Sequence, residues 1–208
     1  MLTPMRPLEA QLLDGEALGK EVVRRMREAR ESVWIATANV KAMLLEREDG
    51  RFRPIVELFA QLVKRGVEVR LLHAELPSRP FRQAFDERPA LLRTEMTLKI
   101  CPRVHFKCVR IDGAWLYLGS ANLTGAGLGA KHKDSRNFEL GFVTEDFDTL
   151  DRLTALYEQV WSGVSCRTCR FHSRCPDPIG SGPTRKRRHK SKTGSDVVLG
   201  RTRRLGRA

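Results

Sequence analysis

From Asp14 onward, apolar residues recur at Leu18, Val22, Met26 and Ala29 with Arg and Glu between them. That spacing predicts an amphipathic helix with Asp14 as its N-cap. The run SVWIAT from Ser32 is apolar enough for a buried strand. A polar loop containing Glu46 to Gly50 leads to Pro54, which opens a second helix with Ile55, Leu58, Phe59, Leu62 and Val63 on one face. Lys64, Arg65 and Gly66 end it. VEVRLL from Val67 alternates as a strand, and 80–93 carries a weaker helix broken at Pro89.

Strand patterns resume at 97–100, 104–111 and 114–118, with Asp112-Gly113 as the hairpin turn between the last two, and again at 138–144. Phe147, Leu150, Leu153, Tyr157 and Trp161 mark a final helix closed by Gly163. Strands alternating with helices, plus one hairpin, predict an α/β fold with a mixed sheet and no internal repeat. The pattern divides the chain into one domain over 1–163, a Cys-rich segment over 164–176, and a tail over 177–208 whose Pro, Gly, Ser and charge content predicts disorder.

At 208 residues and 41% hydrophobic, the chain suffices for one sizeable core. The N-terminal stretch has no continuous apolar segment and no eighteen apolar residues run together, which argues against secretion and membrane spanning and makes a cytoplasmic location the expectation. Five cysteines, three of them within ten residues, suit reduced thiols and a metal better than a disulfide framework. Net charge is +13, and residues 176–208 hold ten Lys and Arg against two Asp, so +8 of it sits in the tail. Such charge favours a polyanion, and both nucleic acid and an anionic membrane qualify.

One stretch departs from core chemistry. Along 104–111, alternation sets His105, Lys107 and Val109 on one face and Phe106, Cys108 and Arg110 on the other. Gly119, Ser120 and Asn122 fall where the returning strand ends, so a hydroxyl and an amide arrive beside that imidazole and ammonium. A nucleophile or base, a fixed positive charge and two neutral donors suit a phosphate diester.

The full pattern H-x-K-x4-D-x6-G-S-x-N resembles the phospholipase D superfamily, whose members include phospholipases, phosphatidyltransferases and nucleases. The order of strands and helices from about Glu16 to Trp161 is similar too. The resemblance implies a phospholipase D-like mixed β-sheet flanked by helices. It also implies a metal-independent, two-step mechanism in which His105 attacks phosphorus to give a phosphohistidine. Lys107, Ser120 and Asn122 would hold the non-bridging oxygens, and Glu139 would orient the other ring nitrogen of His105. A second imidazole must protonate the leaving oxygen and activate water. Only His105 has Lys two residues later, and His132-Lys133-Asp134 has the wrong spacing. One half-site per chain implies a homodimer with two facing His105 side chains. Asp112 is explained by its hairpin turn and is read as structural.

Cys166, Cys169 and Cys175 form C-x2-C-x5-C-P after the last helix. With His172 they could make a Cys3His zinc knuckle. The run also resembles that which staples a [4Fe–4S] cluster in certain DNA-processing nucleases, with a distant fourth cysteine that Cys101 or Cys108 could supply. The terminal Cys-Pro tilts the reading toward the cluster. In both cases the centre is structural, and catalysis needs no cofactor.

Small size, one motif, a basic tail and a metal knuckle suit an endonuclease acting on DNA or RNA, with the tail supplying affinity without sequence readout. The alternatives are a lipid phosphodiesterase of phospholipase D or cardiolipin-hydrolase type, and an inactive nucleic-acid-binding module. No amphipathic helix combines a broad apolar face with a basic flank, which argues against a membrane partner.

Overall fold

The two periodicities resolve into nine strands and five helices among the described residues of the computed structural model, which are 6–47, 49–92 and 96–178. From residue 179 on, the basic tail lies outside them. In chain order the elements are β1 (Gln11–Asp14), α1 (Gly15–Glu28), β2 (Ser32–Thr37), β3 (Leu44–Glu46), β4 (Phe52–Pro54), α2 (Ile55–Lys64), β5 (Glu68–His73), α3 (Arg79–Asp86), α4 (Pro89–Leu92), β6 (Met96–Ile100), β7 (Lys107–Ile111), β8 (Trp115–Gly119), β9 (Leu140–Thr144) and α5 (Phe147–Trp161). Seven strands form one sheet in the order β1-β9-β8-β7-β2-β5-β6. Its β2, β5 and β6 are parallel and the other pairings antiparallel, which makes it the expected mixed sheet flanked by helices.

Each sheet face is covered where the sequence alternates. Leu18, Val22 and Met26 of α1 and Phe59 and Leu62 of α2 are buried with Val33, Ile35, Val69, Leu71 and Val109. On the opposite face, Leu150, Leu153, Tyr157 and Trp161 of α5 bury Ala36, Leu72, Cys108 and Leu116. Full burial of one such large side chain contributes about 1.5–3 kcal/mol, so these four positions hold α5 to the sheet. Among the described residues, no helix is long and apolar enough to cross a membrane.

The β7–β8 hairpin turns through Asp112 (φ 50°) and Gly113 (φ 69°), both left-handed, with Ala114 as a third loop residue between the paired Ile111 and Trp115. The Asp112 carboxylate accepts from the backbone amides of Arg30 (2.9 Å), Glu31 (2.8 Å) and Ser32 (2.9 Å). It thus ties the hairpin to the entry of β2. Burial opposes its ionisation, but the amides of Ser32, Glu31 and Arg30 outweigh burial and draw its pKa below the ordinary 3.8.

Three expectations change. β7 begins at Lys107 rather than Val104, because the Val104 amide turns back to the Cys101 carbonyl at 2.9 Å, so His105 precedes the ladder. The segment read as a polar loop holds the short β3–β4 hairpin, whose three-residue strands are too brief to display alternation. The helix at Asp14 is preceded by the edge strand β1, which exists through pairing with β9 rather than through its own pattern. Asp14 makes no side-chain cap bond.

Candidate active site

Four strand ends meet at one end of the sheet. Register pairs Ala36 with Cys108, so the C-terminal end of β2 adjoins the start of β7. Lys107 pairs with Gly119, and Gly119 with Gly141. The segments just beyond these positions carry His105, Ser120, Asn122 and Glu139, which is how a strand-end motif becomes one site.

His105 is exposed, two residues before β7. The Lys107 ammonium donates to the His105 carbonyl at 2.8 Å and lies 3.4 Å from its Nδ1. A fixed cation therefore stands against the imidazole.

Gly119 is where backbone and side chain approach too closely for any other residue. A methyl there would lie 2.5 Å from the Tyr117 hydroxyl and 2.7 Å from Gly141 Cα. The buried Tyr117 hydroxyl accepts from the Ala121 amide at 3.1 Å, pinning the turn between Ser120 and Asn122. Burial pushes that phenol up to about 12.

Ser120 donates through Oγ to the Glu139 carboxylate and accepts from the Leu140 amide at 3.1 Å. The other Glu139 oxygen accepts from Asn137 Nδ2 at 3.0 Å. Glu139 therefore engages Ser120 and Asn137, and the bond to the His105 ring implied by the family resemblance is not among those described. Strand pairing accounts for this: Ser120 follows Gly119 and Glu139 precedes the strand opposite it, which makes the hydroxyl the carboxylate's neighbour.

Asn122 Oδ1 accepts from Thr37 Oγ1 (3.1 Å), the Ala38 amide (3.1 Å) and the Asn39 amide (3.2 Å). With the oxygen so occupied, the amide nitrogen is the end left to serve a ligand. Thr37 in turn accepts from the Leu123 amide at 3.1 Å. Sequence reading missed Thr37, Tyr117 and Asn137, all supports rather than motif residues. The one available signal was a hydroxyl ending the apolar run of β2.

The cysteines separate. Cys108 is buried under α5, and burial pushes its thiol up to about 12. It does not join the others, because its place on β7 points it into that core. Cys101, Cys166, Cys169, His172 and Cys175 instead line one pocket beside the C-terminal end of β6. Among the described residues, no three His, Cys, Asp or Glu are grouped so as to hold a metal ion.

A profile of the family described as "Cardiolipin synthase, PLD-like domain" matches residues 22–161. The chain belongs to the phospholipase D-like family. Membership makes it a phosphodiesterase by fold and class. This phospholipase D-like chain is similar in fold to NucT from Helicobacter pylori, with a TM-score of 0.53 at 16% identity over 73% of this chain and 94% of that one. It is equally similar to Nuc of Salmonella typhimurium, a phospholipase D family member, with a TM-score of 0.54 at 17% identity over 74% and 95% of the two chains. TrmBL2, an archaeal chromatin protein described as having a novel mode of DNA binding, aligns with a TM-score of 0.51 at 12% identity over 73% and 51%. A search of curated protein sequences finds no match.

Proposed function

We propose that the protein is a metal-independent nuclease, cutting DNA or RNA through a covalent phosphohistidine and active as a homodimer. The observation that carries this reading is the Lys107 ammonium against His105, with Ser120 and Asn122 fixed at the adjoining strand ends. Nε2 of His105 attacks phosphorus while the P–O bond to the leaving strand breaks, and the leaving oxygen takes a proton from the partner's imidazole. That imidazole, now neutral, removes a proton from water, which attacks phosphorus and breaks the P–N bond. Lys107 and the Asn122 amide stabilise charge on the non-bridging oxygens, and the Ser120 hydroxyl joins them when its proton turns from Glu139 to the substrate.

The dimer follows from one His-x-Lys per chain, and an apolar strip beside the site supports it. Leu12 is 68% exposed, Leu140 53%, and Phe138 lies fully in solvent next to Glu139. A two-fold contact there covers apolar surface and supplies the second His105. The cysteine segment is assigned a structural role outside the chemistry. The charge of +13 suits a phosphate backbone, with the tail as a second contact.

The family's cardiolipin synthase description favours a second reading, a lipid phosphodiesterase, and the DNA binding described for TrmBL2 a third, a binding module. One experiment separates the three. Wild type and His105→Ala are incubated in EDTA with labelled single-stranded DNA, duplex DNA, RNA and anionic lipid vesicles. Nucleic acid cleavage by wild type alone is expected. Lipid cleavage or inert binding would replace the nuclease reading.

A further inference from the structure

The segment after α5 is wound as a ladder of three-residue turns. The amide of Cys166 bonds the Gly163 carbonyl (2.9 Å), Cys169 that of Cys166 (3.0 Å), His172 that of Cys169 (2.9 Å) and Cys175 that of His172 (3.4 Å). The C-x2-C-x2-H-x2-C spacing sets three thiols and an imidazole at successive turns, and all four line one pocket.

The pocket's opposite wall is Cys101, sixty-five residues upstream of Cys166. Its amide bonds the His73 carbonyl at 2.8 Å at the end of β5, and its carbonyl accepts the Val104 amide. The C-terminal segment meets this strap through Asp177, which accepts from the Ile100 amide at 3.4 Å, and through Cys169, whose Sγ lies 3.8 Å from Arg103. Four cysteines from two distant segments thus surround one cavity whose wall is nearly all carbon and sulfur. Among the described residues, no three of these donors are grouped so as to hold one metal ion. Thiolates are soft ligands, four of them are the set that holds a [4Fe–4S] cluster, and the Cys-Pro at Cys175 tilts the choice from a single zinc ion toward it.

We propose that Cys101, Cys166, Cys169 and Cys175 hold a [4Fe–4S] cluster that clamps the C-terminal segment onto the strap from Cys101 to Val104, and so fixes the approach to His105. His172 lines the pocket without being a ligand, and Cys108 takes no part. The ligand set stands independently of the nuclease reading; only the effect on cleavage rests on it.

The test uses full-length protein isolated anaerobically, with iron, acid-labile sulfide and zinc measured per chain. Wild type should carry about four irons with matching sulfide and absorb broadly in the violet. Single Ser variants at Cys101, Cys166, Cys169 and Cys175 should each lose most of the iron, while His172→Ala and Cys108→Ser retain it. Hydrogen exchange of the Cys101, Arg103 and Val104 amides should quicken in Cys166→Ser, with β2 and β5 unchanged as a check on folding. One zinc per chain, no metal at all, or iron retained in Cys101→Ser would overturn the proposal. Iron bound as expected without nucleic acid cleavage would leave the cluster standing and remove the nuclease reading.

Discussion

Thr37 Oγ1 lies 3.1 Å from Asn122 Oδ1, joining the end of β2 to the G-S-x-N turn across eighty-five residues of sequence. With the amides of Ala38 and Asn39 it occupies the oxygen end of the side chain and leaves the nitrogen end to the ligand. Asn122→Asp keeps an oxygen for those donors but replaces the free donor with an anion. Folding should be retained while turnover falls about 10²–10³-fold, the usual cost of losing one such donor. Steady-state cleavage and a thermal melt check both halves.

Tyr117 acts through the turn rather than on substrate. Tyr117→Phe removes the acceptor of the Ala121 amide and costs about 1 kcal/mol of stability. Because Ser120 and Asn122 flank that amide, kcat should drop about tenfold or more with little change in KM. An unchanged kcat would show that the turn holds without its tyrosine.

Asp112 is a motif position whose work is structural. Asp112→Ala leaves the amides of Arg30, Glu31 and Ser32 without their carboxylate and places a methyl side chain at φ 50°. The loss should be about 2–3 kcal/mol of stability, read as a lower denaturation midpoint. Residual folded protein should cleave at close to the wild-type rate.

His73 gives the fold an acid limit. It is fully buried, bonds the Glu75 carbonyl through Nδ1 at 2.8 Å, and among the described residues has no partner for Nε2. Burial lowers its pKa below the ordinary 6.5, against the raising pull of the Glu75 carbonyl and of Asp177. The unfolded chain therefore binds the proton first. His73 stability is fully present above pH 6.5 and is lost as pH falls below it, at up to about 1.4 kcal/mol per pH unit. His73→Gln should flatten the fall of melting temperature between pH 6.5 and 5, and an identical slope in both proteins would remove His73 as its cause.

What was legible in the sequence follows the range of the forces involved. Helix α5 could be read because Leu150, Leu153, Tyr157 and Trp161 repeat its period locally, and the Asp112-Gly113 turn because its backbone demands those residues. Strand β1 was not legible, since Gln11–Asp14 is a strand only through β9. The motif residues His105, Lys107, Ser120 and Asn122 stood out by spacing. Their supports Thr37 and Tyr117 did not, because a buried hydroxyl looks like any core residue until its partner is seen. The resemblance put Glu139 beside His105, yet strand pairing set it against Ser120.

The central claim is that His105 becomes covalently bonded to phosphorus. The most direct measurement is a rapid denaturing quench of the full-length protein with a labelled nucleic acid substrate in EDTA, followed by mapping of the label. Label on His105, stable to base and released by acid, and absent from His105→Ala, is the predicted result. Turnover in wild type with no label on His105 under any quench time, or cleavage by His105→Ala at the wild-type rate, would contradict it.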